Sequence, residues 1–333
     1  MTRRSLLQTA LGAAFAAGRG KTASAGKIGI AWTSYMSVAR PRGTLAFLEH
    51  AHALGAGGIQ TTIQDDPAAV RKLAAKYGMY VEAMVSLPKS GEAGAFERQL
   101  ETAKAAGAAV VRAGALSGRR YETFATLAGW RAFARESEQS VAAAVPLLEK
   151  HKIRLALENH KDRTADELVV LLKKHSSEYL GACLDFGNNI SLLDDPMEVA
   201  EKLAPYTFAT HLKDMGVEPY EDGFLLSEVP LGRGFLDLKK MIALVRQSNP
   251  ETHLSLEMIT RDPLEVPCLT DKYWATFPDR NGLYLARTLR LVHEKRSREP
   301  LQRISGLSHE QQLKAEEQNV RDSLDYAEKT LDL

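Results

Sequence analysis

The sequence predicts an α/β protein folded as a (β/α)8 TIM barrel. Short apolar runs, each bounded by polar or turn residues, alternate with segments of helical periodicity. Eight such strand–helix units extend over roughly 270 residues, which is the usual size of this barrel. A doubly wound sheet is the alternative, but no Gly-x-Gly-x-x-Gly turn follows the first predicted strand.

The first half of the predicted barrel contains four strands. They are residues 27–32, 57–61, 79–85 and 108–112, and the helices between them include residues 44–54, 95–106 and 130–150. Gly55 is a typical residue to end the first helix. Asp66 followed by Pro67 is a typical start of the second helix, as N-cap and first helical residue.

The second half has four strands that each end in a side chain able to bind a metal. The strands are residues 153–158, 181–185, 208–211 and 253–257, and the terminal side chains are Glu158, Asp185, His211 and Glu257. The predicted helices between them are residues 164–174, 195–203 and 236–247, so the strands should be parallel.

The residue two positions before each of these side chains is small. These residues are Ala156, Cys183, Ala209 and Ser255. Side chains at positions i and i+2 of a strand share a face, so this pattern leaves room for four large groups to meet at the strand ends. Two glutamates, one aspartate and one histidine suit one divalent ion, namely Mn²⁺, Mg²⁺, Co²⁺ or Zn²⁺. The sequence therefore predicts a metal site.

The N-terminus, residues 1–25, has the pattern of an export signal. Arg3 and Arg4 precede an Ala-rich apolar run, and Ala23-Ser24-Ala25 offers a cleavage site. The paired arginines resemble the twin-arginine type, which predicts a periplasmic or secreted protein. A basic tail or a short uncleaved anchor is the alternative.

Residues 26–300 are predicted to form the catalytic barrel. Three prolines make residues 259–280 a long loop beside the site, and residues 281–294 form the eighth helix. Residues 301–333 are a charged extension, predicted to be one more helix packed on the barrel or against a partner chain in a homo-oligomer. A solvated tail is the alternative.

Composition narrows the choice of partners. The formal net charge is +1 and no basic stripe alternates with aromatic residues, so a nucleic-acid partner is not expected. Apart from the N-terminal run, which is too short to span a bilayer, no segment is apolar enough to do so.

Five motifs resemble the xylose isomerase-like barrel superfamily of sugar phosphate isomerases and epimerases. They are Ala156-Leu-Glu158-Asn-His160, Cys183-Leu-Asp185-Phe-Gly-Asn188, Thr210-His211-Leu-Lys213-Asp214, Pro230-Leu-Gly232-Arg-Gly234 and Ser255-Leu-Glu257. The resemblance covers roughly residues 27–295. It implies that the four strand-end residues bind one divalent metal and that Glu158 and Glu257 also exchange the proton of the substrate carbon.

The resemblance therefore implies a metal-dependent isomerase or epimerase. Its substrate would be a free sugar or sugar derivative, and the reaction would pass through an enediolate. One alternative is a lyase that cleaves 3-keto-glycosides by β-elimination, since it needs the same intermediate. A further alternative is a non-catalytic periplasmic sugar-binding barrel.

Four more residues are predicted to bind the substrate. His160 and Asn188 lie just past two strand ends, and Lys213 follows His211 by two positions. Arg233 occupies a turn in which the family often has an acidic residue. Structural roles are the alternatives for each of these residues.

Overall fold

Eight parallel strands close into a barrel, which confirms the predicted fold class. The computed structural model describes residues 26–35, 42–89 and 92–333, so the predicted export signal lies outside the described residues. In chain order the strands are β1 (Gly29–Ala31), β2 (Gly58–Thr61), β3 (Tyr80–Met84), β4 (Val110–Ala113), β5 (Arg154–Glu158), β6 (Leu180–Asp185), β7 (Thr207–Leu212), β8 (Asp214–Tyr220), β9 (Gly223–Val229), β10 (His253–Leu256) and β11 (Leu264–Val266). The barrel runs from β1 to β7 in order, and β10 closes it between β7 and β1.

Helices cover the outside of the barrel. They are α1 (Gly43–Ala53), α2 (Pro67–Tyr77), α3 (Ala93–Ala105), α4 (Arg120–Thr123), α5 (Leu127–His151), α6 (Ala165–His175), α7 (Pro196–Leu203), α8 (Leu238–Ser248), α9 (Asp271–Trp274), α10 (Gly282–Glu294) and α11 (His309–Leu331). Their buried side chains, such as Phe47, Leu100 and Leu148, fill the layer between helices and strands. Each such side chain contributes about 1.5–3 kcal/mol by leaving water.

Local sequence sets the helix ends. The Asp66 carboxylate accepts a hydrogen bond from the amide of Ala69 at 3.0 Å, and Pro67 opens α2, as the sequence predicts. Helix α6 begins with a capping box in which Thr164 and Glu167 each bond the other's backbone amide. Both helices therefore start where their capping residues require.

The register of the parallel strands places neighbouring polar strand ends either directly opposite each other or two positions apart. Glu158 lies opposite Cys183, and Asp185 lies opposite His211. Ala156, Cys183 and Ala209 pack with Val110 inside the barrel, below these ends. The small residues thus form a narrow layer above which large side chains converge.

A small antiparallel sheet, β11-β9-β8, stands beside the barrel. Strands β8 and β9 follow β7 directly and pair from Asp214 with Val229 to Tyr220 with Gly223. The sequence predicts no strand in residues 214–229, and it predicts that residues 264–266 belong to a long loop. Pro219 within β8 weakens the local strand signal.

Helix α11 packs on the barrel through its buried Val320, Ser323 and Ala327. Its Asn319 donates a hydrogen bond to Thr260 at 3.0 Å. Among the described residues, no helix combines the length and apolar character needed to cross a membrane.

Candidate metal centre and active-site cavity

Four donor residues meet at the carboxyl ends of β5, β6, β7 and β10. We call Glu158, Asp185, His211 and Glu257 the inner cluster. One ligand atom from each lies within 4.8 Å of the others. All four residues are buried, with at most 4% of their surface exposed. The structure thus brings together the four ligands predicted from the sequence, and the cluster could hold a metal ion.

The orientation of His211 fits a metal ligand. Its Nε2 lies 2.6 Å from Oε1 of Gln60, an oxygen that can only accept, so Nε2 carries the proton. In the neutral ring, the lone pair of Nδ1 then faces carboxylate oxygens of Glu158, Asp185 and Glu257 at 3.4–3.5 Å. Buried Nδ1 has no hydrogen-bond partner among the described residues. A cation at this point would satisfy all four groups.

Without such a cation, the carboxylates favour a proton on His211. Burial opposes the charged ring, but Cys183 and Glu257 outweigh it and raise the pKa of His211 to about 10. Metal binding requires the neutral ring, so a metal must displace this proton.

One carboxylate oxygen of Asp185 points into the inner cluster, and the other accepts backbone hydrogen bonds. Its Oδ1 accepts hydrogen bonds from the amides of Gly187 and Asn188 at 2.9 and 2.7 Å. Its Oδ2 faces His211 and Lys213. Burial raises the pKa of Asp185, but Lys213 and His211 lower it below its usual value. The carboxylate is therefore ionised and suited to bind a cation.

Lys213 joins the inner cluster as an ion-pair partner. Its Nζ lies 2.8 Å from Asp185 Oδ2 and 2.5 Å from Glu257 Oε2. Burial opposes the ammonium charge, but the carboxylates of Asp185 and Glu257 raise the pKa of Lys213 above its usual range. Lys213 therefore stays charged. It contacts the cluster directly, so its predicted substrate role stays a prediction.

The two glutamates have different partners. Glu158 accepts a hydrogen bond from Asn188 at 3.0 Å through Oε1 and pairs with Arg112 through Oε2. Glu257 accepts one from Thr33 at 2.7 Å through Oε1. Burial raises the pKa of Glu257, but His211, Lys213 and Arg112 lower it well below its usual value. Glu257 is thus ionised at neutral pH.

A cavity of about 1410 Å³ opens above the inner cluster. Both Glu158 and Glu257 line it, and so do His160 and Asn188, the residues predicted to bind the substrate. Burial, followed by the charges of Lys161 and Arg112, lowers the pKa of His160 well below its usual value, so the ring is neutral.

Arg233 does not reach this cavity. Its side chain is 65% exposed and pairs with Asp322 of α11 at 2.7 Å. The turn that carries it instead directs backbone amides of Gly232 and Gly234 to the buried carboxylate of Asp214. This placement corrects the substrate-binding assignment of Arg233: its partner is a surface helix, not the substrate.

Several cavity and cluster residues were not singled out in the sequence. Gln60 is the next-to-last residue of β2, and Lys161 follows His160 directly. Arg261, which lines the cavity, pairs at 2.7 Å with buried Glu228 of β9. Gln60 could have been found from its phase, because it lies near the carboxyl end of a predicted strand. Glu228 carried no such signal.

Comparison with known proteins agrees with this architecture. A family model described as xylose isomerase-like TIM barrel matches residues 48–275. Among curated proteins, 3-oxo-isoapionate decarboxylase of Pectobacterium atrosepticum is 29% identical over 218 residues, which are 65% of this chain and 77% of that protein.

Two solved structures share the fold at low identity. One is a xylose isomerase-like TIM barrel protein from Mycobacterium smegmatis in complex with magnesium, with a TM-score of 0.54 and 18% identity, over 79% of this chain and 97% of that one. The other is D-psicose 3-epimerase in the presence of D-fructose, with a TM-score of 0.53 and 16% identity, over 80% of this chain and 97% of that one. The match to the family model covers more than half of the sequence and confirms the predicted resemblance: this chain belongs to the xylose isomerase-like TIM barrel family.

Proposed function

We propose that the protein is a divalent-metal-dependent isomerase or epimerase that acts on a free sugar or sugar derivative through an enediolate. One observation carries the proposal: Glu158 and Glu257 both belong to the inner cluster and both line the cavity. A substrate in the cavity would therefore contact two carboxylates and lie beside the metal site. The fold shared with an epimerase and with a magnesium-containing protein supports the same activity and a metal of this class.

The inner cluster would hold the metal, which would act as a Lewis acid toward the carbonyl oxygen of a keto sugar. Ionised Glu257 would remove the proton from the carbon beside the carbonyl, and the electron pair of the broken C–H bond would move toward the carbonyl oxygen. Glu158, after taking up a proton from solvent, would give that proton to the enediolate, and Glu257 would release its proton to solvent. Return to the opposite face of the same carbon gives an epimer, and return to the former carbonyl carbon gives an isomer.

The residues around the two glutamates suit this exchange. Lys213 and Thr33 hold Glu257 in place, and Asn188 and Arg112 hold Glu158. Cations near both carboxylates also favour the negative charge that develops on the substrate.

Solvent exchange tests the proposal. The full-length protein with Mg²⁺ or Mn²⁺ is incubated with keto sugars in D₂O, and we expect deuterium in recovered and isomerised sugar. EDTA should stop the exchange, and added metal should restore it. No exchange with any keto sugar, together with no bound metal, would favour a sugar-binding barrel. A 3-keto-glycoside in the same assay would release its aglycone if the enzyme were a lyase.

Decarboxylation of a 3-oxo sugar acid is a second candidate, because a curated relative is named for such a reaction. In a 3-oxo acid the carboxylate is attached to the carbon beside the ketone. The C–C bond would break, CO₂ would leave, and its electron pair would stay on the sugar as the same enediolate, which a glutamate would then protonate. Release of CO₂ from a 3-oxo acid, without exchange into neutral keto sugars, would identify this reaction.

We also propose export of the protein from the cytoplasm, on the basis of the twin-arginine-like pattern in residues 1–25. Cell fractionation tests it: the protein should appear in the periplasm, and replacement of Arg3 and Arg4 by lysine should retain it in the cytoplasm.

A further inference from the structure

Lys161 is a buried cation without a carboxylate partner. Only 3% of the residue is exposed, and its Nζ donates a hydrogen bond to Oδ1 of Asn188. No carboxylate among the described residues forms an ion pair with it, whereas Arg112 pairs with Glu158 and Arg261 pairs with Glu228. A buried charge without an ion-pair partner is costly, so an anion from outside the chain would favour the charged form of Lys161.

Two other residues of the cavity wall have buried polar atoms that no hydrogen bond within the described part of the chain uses. Nε of Arg112 and Nδ1 of His160 are buried and have no hydrogen-bond partner among the described residues. All three residues line the same cavity. The wall around Lys161 thus offers both positive charge and free hydrogen-bonding capacity.

The charges of the site also favour an anion once a metal is bound. Four buried carboxylates of the site are Glu158, Asp185, Glu228 and Glu257, and four basic side chains lie around them, namely Arg112, Lys161, Lys213 and Arg261. With all four basic groups charged these two sets balance, so a divalent metal leaves this group of residues positively charged. Burial, then Lys213 and Arg261, lower the pKa of Lys161 to about 7, and an anion beside it would restore its charge.

We infer that Lys161 and Arg112 form a subsite for a carboxylate of the substrate, so that the substrate is a sugar acid or another carboxylated sugar. An ammonium and a guanidinium N–H both donate charge-assisted hydrogen bonds to carboxylate oxygens. The subsite adjoins the reacting groups, because Lys161 bonds Asn188, which in turn bonds Glu158. This inference rests on the proposed function, since it takes the cavity as the substrate site.

The test compares two probes that differ in one group. D-Gluconate and D-glucitol have the same carbon chain, and only gluconate carries a carboxylate. Each is titrated calorimetrically into the full-length protein with excess Mg²⁺. We expect gluconate to bind at least about tenfold more tightly, the size of one charge-assisted hydrogen bond.

A matched pair of variants assigns this preference to Lys161. Lys161→Met should reduce it to within about twofold and leave the glucitol affinity and the Mg²⁺ content unchanged. Lys89 is an exposed lysine at the rim of the same cavity, and Lys89→Met should keep the full preference. Lys161→Gln retains a donor for Asn188 and serves as a second neutral variant if the methionine variant does not fold.

Two results would overturn the inference. One is equal affinity of the wild type for gluconate and glucitol. The other is a preference that survives in the neutral variants, because gluconate would then bind through the metal. Solvent exchange into a neutral keto sugar without any gluconate preference would reject the subsite and keep the proposed function. A gluconate preference that depends on Lys161, without solvent exchange into any keto sugar, would support the subsite and reject the proposed isomerase or epimerase activity.

Discussion

Within the described residues, two clusters each combine acidic side chains with one histidine, and the two clusters differ in their surroundings. The inner cluster lies at the carboxyl ends of the barrel strands. A second group, which we call the outer cluster, consists of Glu97, Glu101 and His151 on α3 and at the end of α5. In both, the donor atoms lie within 4.8 Å of one another. Their spacing alone therefore does not distinguish them.

Burial and existing partners distinguish them. In the outer cluster, Glu97 accepts hydrogen bonds from Lys150 and His151 at 2.6 and 2.7 Å, and these bonds lower the pKa of Glu97. Its groups are at least partly exposed. In the inner cluster, buried Nδ1 of His211 faces three carboxylates and has no hydrogen-bond partner among the described residues. A metal site is better indicated by donor atoms that the fold leaves unsatisfied than by donor atoms that are close.

The largest expected effect is on catalysis. Glu257→Gln should slow solvent exchange about 10²–10⁴-fold, because an amide cannot accept the substrate proton. Glu101→Gln, the same change in the outer cluster, should leave the exchange rate unchanged. The rates are measured by NMR in D₂O, and near-normal exchange in Glu257→Gln would show that this residue is not the base.

The second-largest expected effect is on metal affinity. Asp185→Ala removes a buried ligand and should weaken Mg²⁺ or Mn²⁺ binding by at least about 100-fold, more than the loss of a residue that only orients a ligand. Glu97→Ala should have no effect on metal content. Calorimetry and metal analysis after dialysis measure both, and equal losses in the two variants would remove the distinction between the clusters.

Loss of the hydrogen bond that orients His211 should have a smaller effect on metal affinity. Gln60→Leu removes the acceptor that keeps the proton on Nε2, and we expect a loss of about 10–100-fold in metal affinity. Gln99→Leu, at the cavity rim, is the control and should bind metal like the wild type. If Gln60→Leu retains the full metal affinity of the wild type, the hydrogen bond to Gln60 does not determine which nitrogen of His211 carries the proton.

The smallest expected effect is on the pH dependence of the free energy of unfolding. The pKa of Lys161 is lowered to about 7 in the folded protein, so between pH 7 and its ordinary pKa the unfolded chain binds more protons than the folded one. Stability should therefore rise with pH in this window, by up to about 2 kcal/mol between pH 7 and 9. In Lys161→Met this contribution should be absent.

Urea unfolding at several pH values measures the difference between the wild type and Lys161→Met. Below about pH 6 that difference should become constant, because Lys161 is then protonated in both states. Lys150→Met, which removes the lysine that pairs with Glu97 of the outer cluster, should show no pH-dependent difference in the same range. If the free energy of unfolding changes with pH in the same way in the wild type and in Lys161→Met, the pKa of Lys161 is not lowered in the folded protein.

The sequence predicted those features that depend on local pattern. Strand phase identified the inner cluster, because Asp185 and His211 end buried strands with small residues two positions earlier. Features that depend on distant contacts were missed. Gln60 meets His211 across 151 positions of the chain, and the partner of Arg233 lies on the last helix. No local pattern reports such contacts.

The two halves of the barrel contribute different parts of the metal site. All four donor residues come from the second half of the barrel, but Gln60, Thr33 and Arg112, which hold three of them, come from the first. A fragment beginning near β5 would carry all four ligands but would lack these three orienting groups. Closure of the barrel is thus a chemical requirement as well as a mechanical one, because it brings the orienting groups of the first half to the ligands of the second half.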